Sequence, residues 1–169
     1  MALLETSDFT GEHRISQEQT TITVLQGYIN NYQPIYLAKL LGATLADAFV
    51  ADVGGGTAPT DPLFLAIFDP FQKDGDCGGL HISNGIRFYL KGLIYWHFMK
   101  DKRIQANPVS GTSKANTENS SNSSTPESQV YDRWNESVKT MRAIQWYIEQ
   151  NESDYPDYNG QRLLFNSAM

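Results

Sequence analysis

Residues Ser83–Arg103 read SNGIRFYLKGLIYWHFMKDKR, the window of this chain richest in apolar and aromatic mass. Ile86, Phe88, Tyr89, Leu90, Leu93, Ile94, Tyr95, Trp96, Phe98 and Met99 cover most of the circumference of a 3.6-residue helix, so the stretch predicts a helix surrounded by neighbours. Ser83 or Asn84 can cap its first turn. Lys100, Lys102 and Arg103 stand at the end where the helix dipole favours cations. A membrane span would need about 18 apolar residues with few charges, and Arg87, Lys91, His97 and Lys100 interrupt the run. The reading is a central helix with one side against its own domain and another against a partner subunit.

Downstream, from about Glu127 to Glu152, Val130, Trp134, Val138, Met141, Ile144 and Ile148 form the strongest periodic stripe in the chain, opened by Thr125-Pro126-Glu127. This helix is expected to pack on the central one, with Trp134 and Trp146 covering its aromatics. Upstream, Ser16 and Gln19 are spaced as a capping box, and Ile22, Leu25, Ile29 and Tyr32 predict a helix over 17–32. Pro34 is expected to break it, with a second helix restarting at Ile35 and running to about Val53, bent or interrupted at Gly42. Gly54–Gly56 reads as a loop, and Asp61-Pro62 opens a short helix to about Phe68. The stretch FQKDGDCGG reads as a connector. The fold class is therefore all-α: a small bundle of four to five helices with a long polar loop or hairpin excursion and extended termini. Its parts are an N-terminal arm (1–15, anchored by Phe9 and Ile15), a helical domain (16–155) with the polar excursion at about 104–127, and a C-terminal tail (156–169).

Composition removes several function classes. A net charge of −6, from 13 basic and 19 acidic residues, argues against a surface built to grip phosphates. One cysteine, Cys77, excludes an internal disulfide, and MALLETSDFTGEHRIS lacks the basic start and apolar core of a secretory leader. His13, His81 and His97 stand apart from carboxylates and from each other at ligand spacing, so no metal or general-base site is expected. The aspartates of 69–76 miss the alternation and terminal glutamate of a calcium loop. The triple glycine lacks the Lys-Ser/Thr of a phosphate loop. No cofactor and no enzymatic activity are expected.

The order of features nevertheless resembles a known family. The early helix ITVLQGYINNYQPIYLAKLLGATL, the aromatic helix IRFYLKGLIYWHFMKDKR, the polar excursion NPVSGTSKANTENS and the closing helix YDRWNESVKTMRAIQWYIEQ with YPDYNGQRLLF together resemble the small helical head-tail connector, or neck adaptor, proteins of tailed bacteriophages, in particular those of phages of Bacteroidota. The resemblance covers most of the chain and includes no catalytic motif. It implies a virion protein in a ring, usually of twelve copies, between the portal protein and other neck or tail proteins. Genomic DNA would pass through the channel without sequence-specific binding, and no membrane would be involved. The partner-binding residues expected on that reading are Asn107, Pro108, Val109, Gly111 and Lys114 of the polar loop, and Tyr155, Tyr158, Leu163, Leu164 and Phe165 of the tail, with the arm 1–15 also contributing. Deleting 156–169 is expected to leave a helical monomer that fails to attach to its partners. A helical adaptor unrelated to virions and a small enzyme are the alternatives.

Overall fold

The computed structural model describes residues 3–75, 78–106 and 126–161, with the backbone alone at 103–106 and 126–127. Among these the elements are five helices, α1 (Gln19–Leu41), α2 (Ala43–Val53), α3 (Pro62–Phe68), α4 (Gly85–Ala106) and α5 (Pro126–Gln150), and one antiparallel hairpin, β1 (Phe71–Asp74) with β2 (Leu80–Ser83). The chain is an all-α bundle carrying a small hairpin.

α4 is the hub that its composition predicts. Ile86, Tyr89, Leu90, Leu93 and Ile94 are fully buried and Phe98 nearly so. The Ser83 hydroxyl accepts from the Gly85 N–H at 3.1 Å and so serves the first turn. α5 lies along α4 with Met141, Ile144 and Ile148 inward, and Trp134 meets Trp96 at 4.6 Å between ring centres. Trp146, expected to cover α4, does not. It lies two residues beyond Ile144, about 200° around the helix, and stacks on His81 of β2 at 3.9 Å. The two helices come closest at Gly92, where a Cβ would collide with the Ser137 hydroxyl and stand 3.0 Å from the Arg133 carbonyl.

α1 departs from expectation in two ways. It runs unbroken through Pro34, and its first turn has Glu18, not Ser16, at the cap position, with no side-chain cap bond. Pro34, Asn30 and Asn31 are exposed, so the ring and the carbonyl that loses its donor lie on the solvent side of the helix, where the missing bond costs least. The interruption falls at Gly42, the other position expected to bend, with φ +84°, and α1 and α2 turn through 120°. A Cβ at Gly42 would stand 2.8 Å from the Asn159 backbone, which fixes glycine at this corner. No single described helix is long and apolar enough to cross a membrane.

α3 begins as predicted, with the Asp61 carboxylate accepting from Leu63 N–H at 2.8 Å and Pro62 in the first turn. The loop before it is closed by Asp52, whose carboxylate accepts from Asp61 N–H (3.0 Å), the Thr60 hydroxyl (2.8 Å) and Thr60 N–H (2.7 Å). These bonds to the charged form hold Asp52 below the usual carboxylate range.

The two ends of the chain are not free arms where they are described. Residues 3–15 form 3-10 turns at Thr6–Asp8 and Gly11–His13 and bury Leu3, Leu4, Phe9, His13 and Ile15 in the common core. Leu4 N–H donates to the buried Gln33 side chain (3.1 Å), and ion pairs Asp8–Arg87 (2.6 Å) and Glu12–Arg133 (2.7 Å) hold the segment to α4 and α5. Beyond α5, the chain returns across the end of α1. Asn159 N–H donates to Leu41 C=O (3.3 Å) and Gln161 N–H to Lys39 C=O (2.8 Å), while Gln145 Nε2 bridges Leu40 C=O and Gln161 C=O. The last carbonyls of α1, orphaned by helix geometry, are thus satisfied by backbone from 120 residues later in the chain.

Candidate interaction surface

The feature left open by this packing is the hairpin. Its strands pair Phe71 with Ser83, Gln72 with Ile82, Lys73 with His81 and Asp74 with Leu80, and the Gly75 N–H donates to the Gly79 carbonyl at 2.6 Å across the turn. In an antiparallel ladder, hydrogen-bonded and non-hydrogen-bonded pairs alternate. Counting from Gly75–Gly79, the pairs 73–81 and 71–83 bond to each other, and the N–H and C=O of Leu80 and Ile82 point away from β1. Side chains alternate in step. Phe71 packs on Tyr147 (5.2 Å) and His81 on Trp146, both of α5, so Leu80 and Ile82 lie on the outer face, 50% and 51% exposed.

Beside this free edge runs an open groove of about 700 Å³, lined by Leu80 and Ile82, by Phe88, and by Glu136, Lys139, Thr140 and Ala143 of α5, with Glu12 also lining it. Arg133 pairs with both Glu12 and Glu136 at 2.7 Å, so the acidic part is already half-neutralised. The Thr140 hydroxyl, in a residue 1% exposed, has no hydrogen-bond partner among the described residues.

A second cluster lies between α1 and α4. Tyr28, Tyr32 and Tyr36, four residues apart, stack in a row, and His97 sits 3.9 Å from Tyr32, nearly parallel, with its Nε2 2.6 Å from the Tyr36 hydroxyl. Burial lowers the His97 pKa, with nearby Lys100 and Lys39 adding to this and Asp101 opposing. Burial pushes Tyr36 up to about 12, and burial followed by its bond to Asp101 (2.8 Å) does the same to Tyr28. A neutral histidine bonded to a phenol far above neutral pKa is a structural pair. His97 is a packed residue of the α1–α4 seam.

His13 makes a pH prediction. It is 3% exposed, edge-on to Phe88 (5.3 Å) and Tyr95 (5.6 Å), and its Nε2 has no partner among the described residues. Burial first, then Lys91 and Arg133, lower its pKa from 6.5 to about 4, against Glu136. The unfolded chain therefore takes up a proton between those two values that the folded chain refuses, and stability falls as pH drops through that window. The shift corresponds to roughly 3 kcal/mol. Urea midpoints from pH 7 to pH 4 are expected to fall, and His13→Phe is expected to remove most of that fall between pH 6.5 and 4. An unchanged slope in the variant would place the titration elsewhere.

Of the residues expected to bind partners, Asn107, Pro108, Val109, Gly111 and Lys114, and Leu163, Leu164 and Phe165, lie outside the described residues. Tyr155 is not available for an interface within this chain. It is 2% exposed, its hydroxyl donates to the Leu63 carbonyl at 2.7 Å, and burial raises its pKa. Tyr158 is partly buried against the same core. The hairpin edge was missed in the sequence because FQKDGDCGG reads as turn chemistry alone. The signal that finds it is the alternating tetrapeptide Leu80–Ser83 after a glycine-containing loop of hairpin length.

No family model matches the sequence, and no curated protein and no solved structure is significantly similar to it.

Proposed function

We propose that this chain is a structural assembly protein and no enzyme: a head-tail connector whose copies form a ring between the portal and the tail of a tailed phage, leaving a channel for the genome. The observation that carries the reading is the free edge of β2. Among the described residues the core is closed on all the helices and on both described ends, yet one strand presents two exposed apolar side chains, and backbone without a described partner, beside an open groove. Proteins that act alone blunt or cover such edges, because they template association. A chain that assembles has a use for one. The net charge of −6 suits a conduit that must not grip passing phosphates.

Negative-stain electron microscopy of the purified protein, alone and with the portal and neighbouring neck proteins, tests this. Rings with an axial channel, seated on the portal, are the expected result. A stable monomer or dimer under both conditions would overturn it and leave a helical adaptor outside the virion as the reading.

A further inference from the structure

We infer that Tyr36 and His97 form a one-electron redox site: when an oxidant attacks the seam between α1 and α4, Tyr36 gives up an electron and His97 takes the phenolic proton, which leaves a neutral tyrosyl radical inside the core. The inference goes beyond the connector reading and does not depend on it, because every group it uses lies within one chain.

A phenol resists oxidation while it keeps its proton, since the radical cation it would become is a strong acid. Oxidation becomes feasible where a base stands within hydrogen-bond reach of the hydroxyl. Among the described residues the buried tyrosines are Tyr36, Tyr89 and Tyr155. Tyr89 donates to the Tyr36 carbonyl at 3.1 Å and Tyr155 to the Leu63 carbonyl at 2.7 Å, and a backbone carbonyl does not take up a proton. The Tyr36 hydroxyl instead lies 2.6 Å from His97 Nε2 and makes no other hydrogen bond among the described residues. A neutral imidazole has one N–H and one bare nitrogen, so the tautomer with Nε2 bare lets the phenol donate and the imidazole accept. Burial lowers the His97 pKa, with Lys100 and Lys39 adding to this and Asp101 opposing, and at neutral pH the ring is in the accepting form. The lowered value does not close the path, because a phenol radical cation is by far the stronger acid.

Tyr28 and Tyr32 connect the pair to the surface. Both are partly exposed; their rings are 5.8 Å apart, and Tyr32 lies 6.1 Å from Tyr36 and stacks on His97 at 3.9 Å. Rings this close pass an electron in short hops. Tyr28, bonded to the Asp101 carboxylate at 2.8 Å, is the point of entry. A radical there is open to reductants in solution, whereas one on Tyr36, 6% exposed, is shielded and outlasts it. The balance is simple. An oxidant of the peroxyl-radical class gains one electron and becomes a hydroperoxide anion; Tyr36 loses one electron and its hydroxyl proton; His97 gains that proton at Nε2. No atom leaves the protein. One electron from a reductant of the ascorbate class, with the proton returned by His97, restores the resting pair, so the site is a reversible sink for oxidation that strikes this face.

The test photo-oxidises the full-length protein at neutral pH with ruthenium tris-bipyridine and persulfate and reads freeze-quenched paramagnetic resonance. All samples carry Cys77→Ser, so that the single thiol does not reduce the radical. A long-lived phenoxyl signal is expected, lost in Tyr36→Phe and kept in Tyr89→Phe. His97→Gln can still bond to the hydroxyl but cannot take its proton, and is expected to lose the signal while the circular dichroism spectrum stays native. If that variant does not fold, Tyr36→Phe against Tyr89→Phe decides, since each removes one buried hydroxyl. A phenoxyl signal that survives Tyr36→Phe, or one that survives in folded His97→Gln, overturns the inference, as does a lasting signal of indole type alone or none at all.

Discussion

A chain ended after Asp154 is expected to lose about a third or more of its stability, while one ended after Gln161 folds as the full chain does. Tyr155 is fully buried and bonded to Leu63, and removing a buried aromatic side chain costs about 3–5 kcal/mol. The same cut removes the Asn159 and Gln161 N–H groups that satisfy Leu41 and Lys39, about 1 kcal/mol each. It also strips one of the two carbonyls that Gln145 bridges and exposes the Gly42 corner. Against a total of about 5–15 kcal/mol for a domain, that sum is about a third of the margin at the least and the whole of it at the most. Urea unfolding followed by circular dichroism reads it directly. Equal midpoints for the two truncations would mean that residues 155–161 do not hold α1. The consequence for assembly is practical. Deleting 156–169 confounds folding with partner binding, and only a cut after Gln161 asks what residues 162–169 do.

The second large effect is at Gly92. A Cβ there collides with the hydroxyl of the buried Ser137 and presses on the Arg133 carbonyl one turn earlier on α5. In an exposed helix, glycine to alanine is favourable by about 1 kcal/mol; overpacking a tight crossing costs about 1–3 kcal/mol. The clash with backbone decides the sign, because a carbonyl cannot rotate away. Gly92→Ala is expected to destabilise by about 1 kcal/mol net, and Gly92→Leu to unfold the chain or drive α4 and α5 apart at a cost above about 3 kcal/mol. Adding Ser137→Gly to Gly92→Ala should recover part of the loss. A Gly92→Ala protein more stable than the parent would show that the helices do not meet this closely.

What the residues alone determined is what depends on local periodicity and local chemistry. The apolar circumference of 83–103 makes α4 a hub whatever surrounds it, the stripe Val138–Ile148 has one face to bury, and Asp61-Pro62 starts a helix because cap and proline act within one turn. The tertiary structure decided everything that hangs on which side of an element meets solvent or a distant partner. Pro34 leaves α1 whole because it faces water, and at Gly42, where the sequence already placed a bend, Asn159 fills the space a side chain would take. The arm holding Leu3, Leu4 and His13 is core because α4 and α5 leave room for it, and Tyr155, expected to meet a partner, is a tie within the chain because Leu63 offers a carbonyl. The free edge of β2 belongs with these. Its alternation was in the sequence, but whether an edge is covered or open is set by how far α5 and the returning chain reach around the fold, and no local pattern encodes that distance.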